Sequence, residues 1–235
     1  MTRNIDMTRR TAAALAVCAA LALAPVPARC EETGRGGAPA LAGVGMAFEN
    51  ARLLPHEARA KALEEAAASI ALLLEGGLPK ERQIAALLLS AEIQFALGRY
   101  EAAADLYKRA GEKDREKIYR DDAEAGRILA LEAAGRDGEA AKEWKKWRER
   151  HPDSPLMSEA SLACAWNALR RGDRAEAASA LEEISSRWPW MDQDRRVVLA
   201  RSAIGYIAGD YAGTLELLGS LEDSPAAVYL RGLCP

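Results

Sequence analysis

Four glycines recur at a fixed interval: Gly98, Gly135, Gly172 and Gly209 are each 37 residues apart. Other positions keep the same phase. Five residues after each glycine stands a small residue (Ala103, Ala140, Ala177, Thr214), and nine after stands a large apolar one (Tyr107, Trp144, Leu181, Leu218). Twelve after come Ala110, Trp147, Ile184 and Leu221. Self-similarity at such a period marks a stacked array of supersecondary units, none of which can bury its apolar face alone. The units are helical. Hydrophobic residues make up 49% of the chain but aromatics only 6%, and alanine, the strongest helix former, recurs throughout. An all-α array of helical hairpins is expected, and such arrays are scaffolds for recognition rather than catalysis.

Each repeat resolves into helix A, ending at the glycine, and helix B, beginning just after it. Glycine suits that turn because a left-handed backbone costs it nothing. The B helices are expected at about 100–112, 137–150, 174–187 and 211–221, and Asp173 with Glu176 forms a capping box for the third. His151-Pro152-Asp153-Ser154-Pro155 closes the second unit, with Ser154 as N-cap and Pro155 at the first helical position of the next helix. Trp188-Pro189-Trp190 closes the third, one period later. The packing logic is local: an alanine at the crossing lets two helices approach, and large residues four and seven positions on share its face. Upstream, residues 43–78 form a divergent hairpin without the repeat glycine, split by Pro55 into helices at about 44–54 and 56–75 and ended by Gly76-Gly77. Residues 79–235 hold the four repeats and a partial terminal helix.

The N-terminus reads as an export signal over residues 1–28. Arg9 and Arg10 precede an apolar run from Thr11 to Ala24, and Val26-Pro27-Ala28 supplies small residues for cleavage. That run is shorter than the ~20 residues a membrane span needs. A Gly-rich linker, residues 29–42, follows. Arg29 before Cys30, and Pro27 before that, depart from the lipoprotein pattern, so a soluble periplasmic protein is favoured over an outer-membrane lipoprotein; membrane association follows only if Cys30 is lipidated. Cys164 sits mid-helix and reads as a buried thiol, and no Cys/His spacing indicates a metal site. The formal net charge of −3, with no basic stripe, gives no support for nucleic-acid binding.

The repeat resembles the tetratricopeptide repeat. Ala91-Glu92-Ile93-Gln94-Phe95-Ala96-Leu97-Gly98-Arg99-Tyr100-Glu101-Ala102-Ala103-Ala104-Asp105-Leu106-Tyr107-Lys108-Arg109-Ala110 places glycine, aromatics and alanines where that family has them, and Gly172 to Ala177 is also close. The resemblance implies a right-handed superhelix of antiparallel hairpins. The longer period, the Pro-Asp-Ser-Pro link and the export signal are similar to an envelope subgroup that includes the Tol–Pal coordinator and the outer-membrane assembly lipoprotein. That similarity implies a partner that is another envelope protein or peptide. A second architecture is also similar: a penicillin-binding-protein activator, in which helical repeats precede a ligand-binding domain, so the chain could be the N-terminal regulatory region of a longer periplasmic protein.

In this family helix A lines a concave groove. Carried over by position from the repeat glycines, the groove residues are Leu88, Glu92 and Phe95; Asp122, Leu129 and Glu132; Glu159, Leu162, Trp166, Leu169 and Arg170; and Arg196, Leu199 and Tyr206. The stripe Leu162, Ala165, Trp166, Leu169 is equally the spacing of a buried face. Trp188 and Trp190 are candidate loop contacts, or packing against the end of the stack. Trp144 and Trp147 belong to the core, and the charged run Glu143–Arg150 to a solvated outer face. The two histidines, His56 and His151, lie in different hairpins, and no nucleophile elbow, phosphate loop or His-Glu metal motif occurs. No enzyme activity, cofactor or metal is expected.

Overall fold

The computed structural model describes residues 41–221 and 225–234. The expected signal peptide, Cys30 and nearly all of the 29–42 linker lie outside the described residues. Among the described residues there are eleven α-helices and no strand. The chain divides into two compact units, with the boundary between Gly135 and Arg136.

The first unit holds α1 (Leu41–Leu53), α2 (His56–Glu75), α3 (Lys80–Ala96), α4 (Tyr100–Lys113) and α5 (Arg120–Ala133), each packed on the next. Leu63, Ala66, Ile70 and Leu73 recur at helical spacing on α2 and meet Val44, Phe48 and Ala51 of α1 and Ala86 and Ile93 of α3. Helix α1 starts at Leu41, inside the stretch expected to be linker, because Leu41 already packs against this core. Further along, the ring of Tyr107 lies against bare backbone. A Cβ on Gly126 would stand 2.5 Å from that ring, so α4 and α5 close together only because residue 126 has no side chain.

The second unit holds α6 (Asp137–Arg150), α7 (Met157–Arg171), α8 (Arg174–Arg187), a 3-10 turn (Pro189–Gln193), α9 (Arg195–Ala208), α10 (Tyr211–Gly219) and α11 (Pro225–Leu233). Leu162 and Ala165 of α7, Leu181 and Ile184 of α8, Met191 of the 3-10 turn and Val197 and Ala200 of α9 form one core cluster. A second joins Leu199, Leu218 and Ala227, with Trp166 and Leu230 against it. Trp144 and Trp147 are buried on α6, edge to face with centroids 5.6 Å apart.

The repeat rules hold in both units. Ala103, Ala140, Ala177 and Thr214 are all fully buried, as are Ala110, Trp147 and Ile184. The four repeat glycines have φ between +77° and +81°. Three of them close the helix with the same pair of bonds. At Gly98 the N–H of Arg99 donates to Gln94 O and that of Gly98 to Phe95 O, both at 2.9 Å. Gly172 and Gly209 repeat the pattern through Asp173 to Ala168 and Asp210 to Gly205. Asp173 Oδ1 accepts from the Glu176 N–H at 3.0 Å, the expected cap of α8.

Two helix ends depart from expectation. Ser154 is not the N-cap of α7, and Pro155 is not its first residue. Ser154 Oγ accepts from the Leu156 N–H at 3.2 Å and its carbonyl from Met157 at 3.1 Å, which makes a tight turn, and the helix starts at Met157, where a buried side chain anchors it. Helix α10 ends at Gly219, short of Leu221.

Candidate functional site

In the first unit the groove positions turn inward. Glu92, on α3, is 8% exposed and accepts a hydrogen bond from the Tyr107 hydroxyl on α4. Leu88 and Phe95 are buried on the same helix, and Phe95 meets Tyr100 edge to face at 5.2 Å. On α5, Glu132 is buried, and Leu129 and Asp122 are half-buried. Burial, and secondarily the neighbouring charge of Asp121, raises the Asp122 carboxyl to about 6. Side chains as enclosed as Glu92, Phe95 and Glu132 offer little area to a guest.

The second unit is more open at the equivalent places. Glu159, Trp166, Leu169 and Arg170 lie half-buried along α7, and Arg196 and Tyr206 half-buried along α9, while Leu162 and Leu199 between them are buried. Residues seven and ten or eleven apart fall on one helical face, and α7 packs on α9. The two helices therefore present one continuous row. Trp166 and Leu169 rest on the core below. Tyr206 meets Tyr211 at 5.9 Å, three periods after the Phe95–Tyr100 contact.

Charge along this row is held by Glu159, itself a groove position, and by Asp194 and Asp137, which the repeat spacing did not point to. Arg196 Nη1 donates to Glu159 Oε2 at 2.6 Å and Nη2 to Glu159 Oε1 at 2.9 Å. The same guanidinium donates to Asp194 through Nε (3.0 Å) and Nη2 (2.7 Å), while Asp194 also caps α9 by accepting from the Arg196 N–H at 2.8 Å. Burial pushes the Asp194 carboxyl up, but the hydrogen bonds and charge of Arg196 outweigh it and the net shift is downward. Arg170 Nε donates to Asp137 Oδ1 at 2.8 Å, and Asn167 Nδ2 to the Asp137 carbonyl at 3.1 Å. One signal was present in the sequence: Glu159 and Arg196 are opposite charges one 37-residue period apart, on adjacent A helices.

The two loop tryptophans part company. Trp188 is half-buried against the core, with the Arg187 guanidinium 4.6 Å above its ring. Trp190 is 70% exposed at the start of the 3-10 turn. Cys164 is half-buried. Two open clefts of the second unit, about 770 and 580 Å³, are lined by neither Trp166, Leu169, Arg196 nor Tyr206. Among the described residues no group of His, Cys, Asp and Glu side chains could hold a metal ion, and no helix is long and apolar enough to cross a membrane.

A family model, the tetratricopeptide repeat, matches residues 85–116. The match runs from the middle of α3 through the Gly98 turn and past the end of α4, the hairpin whose residues carry the resemblance most fully. No curated protein matches the chain.

Proposed function

We propose that this chain is an exported, non-catalytic scaffold that binds another cell-envelope protein or peptide through the A-helix face of its repeats. The observation behind this reading is the half-buried row on α7 and α9, where Trp166, Leu169 and Tyr206 are flanked by the paired arginines Arg170 and Arg196. Aromatic side chains that are held from behind and reach the surface are the usual anchors of protein recognition, because little side-chain freedom remains to be lost. A tetratricopeptide-type hairpin array is a protein-interaction architecture, and the repeats contribute surface rather than chemistry. Trp190 adds a second contact from the loop side.

Crosslinking and pull-down from an envelope extract should recover a partner. The double substitution Trp166→Ala, Tyr206→Ala should weaken that capture at least tenfold while the helical circular dichroism persists. A folded double variant that captures as well as the parent chain rules the face out. Export has its own test. Residues 1–28 fused to a reporter active only outside the cytoplasm should give signal, and N-terminal sequencing of the recovered chain should begin at Arg29.

A further inference from the structure

We propose that the α7–α9 face accepts a short, extended, apolar segment with neutral or basic flanks, and rejects acidic ones. The inference rests on the reading of that face as the binding site and adds the chemistry of its occupant.

A guanidinium has five N–H donors in a fixed fork. Arg196 directs three nitrogens at two carboxylates, bidentate to Glu159 and bidentate to Asp194. Four hydrogen bonds from this fork stay within the protein, and the trio carries a net negative charge. Arg170 turns its Nε onto Asp137. Arg196, already held by two carboxylates, cannot take an incoming one in a bidentate grip without surrendering bonds already made, while Glu159 and Asp194 repel it. These two groove arginines therefore serve as struts between helices: Arg196 ties α9 to α7, and Arg170 ties α7 to the first residue of α6.

From Glu159 to Leu169 the row extends about 15 Å at the α-helical rise of 1.5 Å per residue. An extended chain covers about 3.3 Å per residue, so about five residues fill the row. What they meet is Trp166 and Leu169, resting on a core already closed, and Tyr206 against the ring of Tyr211. Contact there is apolar, so a segment with uncharged flanks binds with little dependence on salt.

The test uses the chain with three fluorescein-labelled peptide pools. Each pool has five core positions drawn from Ala, Leu, Val, Phe and Tyr, flanked by two serines, two lysines or two glutamates at each end. Anisotropy should show the serine and lysine pools binding at least tenfold more tightly than the glutamate pool. The serine pool's Kd should change less than twofold between low and high salt. Glu159→Gln combined with Asp194→Asn, which keeps the helix cap because asparagine caps as well as aspartate, should raise affinity for the glutamate pool at least fivefold; Glu159→Gln alone should do so in part. Equal binding of all pools, or preference for glutamate, overturns the charge assignment while leaving the face as a site. Unchanged binding to the folded Trp166→Ala, Tyr206→Ala variant overturns the site itself. If no pool binds, both fall.

Discussion

At the scale of single residues, backbone freedom and burial set the outcome. Gly126 is an interior helical glycine, kept bare by the Tyr107 ring. Gly126→Ala should lower stability by about 1–3 kcal/mol, the usual cost of forcing extra volume into a packed seam, read as a drop in the urea midpoint. Lys117 shows the opposite case: it holds φ +59° in the loop after α4. A left-handed backbone costs an L-residue roughly 1–2 kcal/mol, so Lys117→Gly should raise the midpoint, by less than that once glycine's own entropy is counted. Asp122 gives a pH signature. Its folded carboxyl is raised from 3.8 to about 6 by burial, with Asp121 adding to the shift. A raised acid destabilises the fold where it is ionised, so the penalty is fully present above about pH 6 and is gone below about pH 4. Asp122→Asn should therefore raise the urea midpoint at pH 7.5 and leave it unchanged near pH 4; an equal gain at both values would contradict the assignment.

Helices are decided by which of their faces the neighbours cover. α6 is charged along most of its length, yet Trp144 and Trp147 are buried on it. Two tryptophans three residues apart thus outweigh a run of lysines and arginines in setting the helix's orientation. Trp147→Ala should cost about 3–5 kcal/mol, followed by the fluorescence of the remaining tryptophans, all of which lie in the second unit. Asp173 contributes through its cap instead of its bulk. Asp173→Ala should cost about 1 kcal/mol and fray α8 at its start, measurable by amide exchange at Glu176. The missed start of α7 belongs to this scale too. Ser154-Pro155 has the composition of a helix start, but the same serine can close a turn two residues earlier, and the buried Met157 settled which was used.

Over the whole molecule, the apolar surface is unevenly finished. Leu215 and Leu217 of α10 and Val228 and Tyr229 of α11 stay exposed, whereas Leu218 and Ala227 on the same helices are fully buried. Val228→Lys with Tyr229→Lys should leave stability within about 0.5 kcal/mol, as surface changes do, while Leu218→Ala should cost about 2–5 kcal/mol; thermal melts of the two variants separate them. Equivalent positions one period apart became interior at Glu92, Phe95 and Glu132 but remained open at Trp166, Leu169 and Tyr206.

The sequence by itself determined the helical hairpin, its turn glycines, the buried alanines and the limits of three B helices to within a residue. These depend on backbone conformation and on spacing within one helix, which a linear pattern records directly. It did not separate groove from core on helix A, because the 3.6-residue period is the same whether a neighbouring helix or a guest covers the face. Nor did it disclose that Arg196 and Arg170 were already bound across helices, since Glu159 and Asp137 meet them only when separate helices are laid side by side. Tertiary structure made both decisions, because burial and ion pairing depend on which atoms come within a few ångströms, not on how far apart they lie along the chain.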